Sequence, residues 1–105
     1  MAIATLRETE LARGLAEKFG GEITACWNRP DLNRIEFVEL QGVRDVDTRV
    51  LCSLLETNYR EQGFRVVSTD IDMGLVLQDE QGVESRLCYT CYRDFLTVSR
   101  DKDEK

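Results

Sequence analysis

Apolar residues recur along the chain with two different periods, and the changes of period mark out the elements. Leu11, Ala12, Leu15, Ala16 and Phe19 fall at helical spacing. Thr5-Leu-Arg-Glu8 upstream has the form of a capping box, and Gly20-Gly21 downstream that of a helix C-cap. Together they predict an amphipathic first helix. Gly14 inside it costs about 1 kcal/mol relative to Ala, which points to a close approach by another segment at that position.

Glu22–Trp27 and Arg34–Leu40 change to strand chemistry. In the first, alternation puts Ile23, Ala25 and Trp27 on one face. In the second, Ile35 and Phe37 alternate with Glu36, while Val38 and Leu40 fall on the opposite side. The turn formers of Asn28-Arg-Pro-Asp-Leu-Asn33 join the two as a hairpin. Helical spacing returns after Asp47, a predicted N-cap, with Val50, Leu51, Leu54, Leu55, Asn58 and Tyr59 on one stripe and Gly63 as its end.

From Phe64 the pattern reads as sheet: Phe64–Thr69, Leu75–Gln78, a type I turn at Asp79–Gly82, then Val83–Tyr92, to which Phe95–Ser99 could add a further strand outside the α-β-β-α-β-β-β order. Leu87, Cys88, Cys91, Tyr92, Phe95 and Leu96 also fit a helical stripe, but the Thr and Tyr content between them favours strand. The order α-β-β-α-β-β-β predicts an α+β two-layer sandwich, an antiparallel sheet of 4–5 strands with two helices on one face. One domain is expected over residues 1–100, with 101–105 a frayed charged tail.

Composition narrows the chemistry. The 105 residues contain no His, which removes imidazole general-base schemes and His-ligated zinc. The first residues lack the basic start and apolar run of a signal peptide, and no apolar stretch approaches a membrane span, so a cytoplasmic protein with free thiols is expected. The formal charge of −6 argues against direct nucleic-acid binding and suits a partner with a basic surface, such as a nucleic-acid-processing enzyme.

Three groups of residues could carry a function. Cys88-Tyr-Thr-Cys91 is a C-x-x-C pair, able in principle to hold zinc or form a redox disulfide, but residues three apart on a strand point to opposite faces. Asp70 and Asp72 share one strand face and could hold a divalent ion, yet the rest of a calcium loop is missing. Trp27, Arg29 and Leu32 form an interface-like stretch, with Tyr92 and Arg93 as a second candidate patch. The expectation is a non-catalytic protein-binding module, an adaptor, inhibitor or regulatory subunit, with no cofactor and with a homodimer through an edge strand as an option. The alternative is a thiol-dependent protein, zinc-stabilised or redox-active through Cys88 and Cys91.

Overall fold

A computed structural model describes residues 9–28, 34–70 and 74–102. The order is α1 (Glu10–Phe19), β1 (Glu22–Asn28), β2 (Arg34–Gln41), α2 (Thr48–Glu61), β3 (Arg65–Asp70), β4 (Gly74–Gln78), β5 (Glu84–Tyr92) and β6 (Phe95–Lys102). The six strands form one antiparallel sheet in the order β1-β2-β6-β5-β4-β3. The α+β class is therefore as expected, with one strand more than the 4–5 predicted. Strand chemistry continues through Cys88–Cys91 and on into β6. The final strand also reaches further than expected: Asp101 pairs with both Arg34 and Arg86, so the predicted tail begins inside β6.

Local signals explain most element ends. Asp47 caps α2, its carboxylate accepting from the Arg49 amide at 2.8 Å. The Asp79–Gly82 turn closes through Gly82 N–H to the Asp79 carbonyl at 3.0 Å, while Asp79 Oδ1 also accepts from Gln81 and Val83. Helix α1 starts later than its expected capping box. Thr9 is the N-cap, its hydroxyl accepting from the Ala12 amide at 3.1 Å, and Thr5 lies outside the described residues. A Thr placed one turn nearer the apolar stripe does the same chemical work.

Leu11, Ala12, Leu15 and Phe19 from α1 and Leu51, Leu55 and Tyr59 from α2 pack onto one face of the sheet. They meet Val38 and Leu40 of β2, Leu96 and Val98 of β6, Leu87 of β5, and Leu75 and Leu77 of β4, all essentially inaccessible to water. Burying each such side chain is worth about 1.5–3 kcal/mol, which is what holds the two layers together.

The alternation expected for β1 is interrupted. Its ladder with β2 shifts between Ile23 and Ala25, so that Ile23 faces Leu40 and Cys26 faces Val38. A bulge of this kind reverses the pleat for everything after it. Ile23 and Cys26 thus take the core side, while Trp27 moves to the helix-free face, half-buried and stacked on Phe37 at 5.9 Å. Trp27 is not the core residue that strict period two makes it.

Two glycines illustrate opposite roles. Gly74 has φ 104°, and a β-carbon there would lie 2.0 Å from the Leu87 carbonyl oxygen, so only glycine permits β4 to meet β5. Gly14 marks no close approach at all, since a β-carbon there would find nothing within 4 Å. It faces open space.

Candidate functional site

Beneath the helices, at the end of the sheet where β2 begins and β6 ends, lies a cluster of polar side chains taken out of water. Glu36 is 6% exposed, Arg100 9% and Ser85 3%. Glu36 Oε1 accepts from the Tyr59 hydroxyl at 2.5 Å and from Arg100 Nε at 3.4 Å, and Arg100 reaches the Ser85 hydroxyl at 3.3 Å. The guanidinium also stands over two rings, 5.5 Å from Tyr59 and 4.9 Å from Phe64, which themselves meet edge to face. Burial is the main reason the Tyr59 hydroxyl is held far above the ordinary phenol range. The Glu36 charge acts in the same sense, and Arg100 opposes it. The Tyr59 hydroxyl therefore stays protonated and donates. Enclosed in this way, the cluster locks α2 onto the sheet.

The outer side of the helix layer differs. Burial falls off across the stripe on α2: Leu51, Leu55 and Tyr59 are buried, whereas Val50 and Leu54, packed against the margin of the same core, and Asn58 are half-buried. These second-row residues face α1 across a cleft of about 590 Å³ whose other wall includes Glu10, Leu11, Gly14 and Lys18. The missing side chain of Gly14 widens it. Asn58 Nδ2, on this wall, is buried without a hydrogen-bond partner.

The two helices run antiparallel. Arg44 N–H donates to the Phe19 carbonyl at 2.9 Å, tying the segment that leads into α2 to the last residue of α1. Cys26 Sγ donates to the Thr9 hydroxyl at 3.5 Å, and Tyr59 bonds to Glu36, whose register partner is Asn28. The start of α1 and the end of α2 thus lie at the same end of the sheet. Consequently Glu10 and Glu61 stand at one end of the cleft and Lys18 and Arg49 at the other, all four exposed.

Among the described residues, those singled out from sequence do not assemble into one site. Arg29, Leu32 and Asp72 lie outside the described residues, as does the side chain of Asp70. Trp27 sits on edge strand β1. Tyr92, 64% exposed, occupies the far end of the sheet, where the Arg93 guanidinium lies 5.3 Å from its ring. Arg93 takes φ 56°, and the following Asp94 carbonyl accepts from both Gly42 and Val43, at 2.8 and 3.0 Å, so the hairpin tip is pinned to the loop before α2. Cys88 pairs with Ser99 and Cys91 with Leu96, which places the two thiols on opposite faces of β5. Among the described residues no three His, Cys, Asp or Glu side chains gather as metal ligands, and no helix is long and apolar enough to cross a membrane. The cleft went unassigned in the sequence, although its two signals, Gly14 and the wide stripe on α2, were visible there.

No family model matches the chain, and neither the curated proteins nor the solved structures contain a significant match.

Proposed function

We propose that the chain is a non-catalytic protein-binding module and that the cleft between α1 and α2 receives its partner. The observation that supports this reading is the second row of α2. Val50 and Leu54 pack against the margin of the core formed by Leu51, Leu55 and Tyr59, and their remaining exposed surface lines the open cleft. Half-buried aliphatic side chains flanked by charged ones are the surroundings in which a partner side chain gains most from losing water.

Affinity capture from extract of the source cells, with wild type and Val50→Arg/Leu54→Arg as parallel baits, tests the reading. The partner retained by wild type is expected to be lost from the variant, and purified partner should then reproduce the difference. Equal retention on both baits ends the proposal, as does retention on neither when the wild type also fails to associate with itself in solution. Both positions are half-buried, so a far-UV spectrum of the variant accompanies the capture.

A further inference from the structure

We infer that the occupant of the cleft is a second copy of this chain, packed antiparallel across a two-fold axis with the acidic end of each cleft against the basic end of the other. The inference rests on the reading of the cleft as a binding surface and adds the identity of what binds.

Its warrant is the placement of charge on α2. An α-helix favours acidic side chains in its first turn and basic ones in its last. Helix α1 obeys, with Glu10 first and Lys18 in the last turn. The N-cap Asp47 and the last-turn Arg60 of α2 also obey, but at the positions that line the cleft α2 does the reverse, with Arg49 in its first turn and Glu61 its last residue. Taken alone, Arg49 and Glu61 stand against the local preference of the helix. What they achieve is agreement with α1. Because the helices are antiparallel, Glu61 joins Glu10 and Arg49 joins Lys18, so that among the described residues the charged side chains lining each end of the cleft share one sign. Like charges side by side are unfavourable until an opposite pair faces them. A two-fold related copy brings the missing pair to both ends at once, and no other orientation of a second copy does so.

Area sets the strength. The helices are 10 and 14 residues long, about 15 and 21 Å. With interaxial spacing near 9 Å the two-helix face offers on the order of 400 Å² in projection, below the roughly 800 Å² per partner of a standard stable interface. The dimer is thus a weak one that dissociates on dilution. The sheet edges offer a poorer route, since both edge strands carry a bulge, between Ile23 and Ala25 in β1 and between Val66 and Ser68 in β3. Bulges blunt lateral pairing.

Sedimentation equilibrium across the micromolar to millimolar range provides the test. Wild type is expected to show a monomer–dimer equilibrium that weakens as salt is raised. Arg49→Glu and Glu61→Lys each place like charges in contact twice per dimer, so each should lower the association constant about tenfold. The quadruple variant Glu10→Lys/Lys18→Glu/Arg49→Glu/Glu61→Lys exchanges the sign of both ends and should return association to about the wild-type level. Arg49→Glu and Glu61→Lys agree with the macrodipole of α2, so unfolding is not the expected cause of lost association in the single variants, and a melting curve for each variant checks this. A wild type that is monomeric at millimolar concentration overturns the inference, as does a folded quadruple variant that associates no better than the singles. If capture on the Val50→Arg/Leu54→Arg bait still distinguishes a partner while wild type stays monomeric, the binding reading stands and only its second-copy form falls. If neither differs, both fall.

Discussion

Glu36 and Arg100 meet under the helix layer, out of water, while Glu10, Lys18, Arg49 and Glu61 stand around a cleft on its outer side. Both regions use opposite charges supplied by distant parts of the chain. In the inner region every charge has its counterpart within the molecule. Glu36 receives two donors on one oxygen, and Arg100 has a hydroxyl and two aromatic faces as well. In the outer region charges of one sign are brought together and their complement lies at the other end of the helices. An arrangement satisfied internally serves the fold, and one left divided is open to a partner. The same helix, α2, contributes to both.

The largest effect should come from breaking the inner region. Arg100→Leu removes the cation and leaves Glu36 buried beside a single hydroxyl donor. Stranding a buried charge in this way costs about 3–5 kcal/mol, measured by urea unfolding. The double variant Glu36→Leu/Arg100→Leu removes both charges and should recover a large part of the loss. A double variant less stable than Arg100→Leu would show that the pair is not the unit that matters. None of these changes touches the cleft, so the dimer constant, referred to folded protein, is expected to stay where it was.

Next in size is Tyr59→Phe, which deletes the hydroxyl that donates to Glu36 and keeps the ring beside Phe64. A hydrogen bond to a charged group contributes about 1.5–3 kcal/mol, and a loss of that order is expected in the same unfolding experiment. The alkaline limb gives a second readout. Burial first, and Glu36 second, raise the Tyr59 pKa in the folded chain above its unfolded value of about 10. Above pH 10 the unfolded chain then binds fewer protons than the folded one, so stability present below pH 10 declines as pH rises. The limiting slope from one such group is about 1.4 kcal/mol per pH unit. Tyr59→Phe should remove that component of the slope, and an unchanged alkaline limb would mean that the hydroxyl is not shielded as described.

How far each region could be read from sequence follows from the range of the interactions involved. Helix and strand positions were legible because periodicity and caps act within a few residues, as at Asp47 and at Asp79–Gly82. The inner region was not. Glu36 lies on a strand with apolar residues on both faces, and Arg100, sixty-four residues away, gives no local sign of being its partner. The environment of Trp27 was misread because a bulge is a property of two strands together, and the extra residue in β1 shows only when β2 is laid beside it. The cleft was half legible. Val50, Leu54 and Asn58 stood in the stripe and Gly14 stood out, but the helix-packing rule of thumb read that glycine as a contact. What decides the matter is which turn of α2 lies opposite, and that is set by the loop from Gly42 to Asp47 rather than by α1.

Gly14 therefore offers the smallest and most discriminating change. If it lines an open cleft, Ala should fit without strain and stabilise α1 by about 1 kcal/mol through propensity alone. A residue required for close packing would give the opposite sign. Gly14→Met carries the comparison further. Methionine keeps most of the helical gain but extends its side chain into the space between the helices, filling the cleft from within. Unfolding at low protein concentration should show Gly14→Met at least as stable as wild type, while sedimentation equilibrium shows its dimer weakened. Stability and association would then move in opposite directions on one substitution. In the inner region, where Arg100→Leu acts, stability moves and association does not.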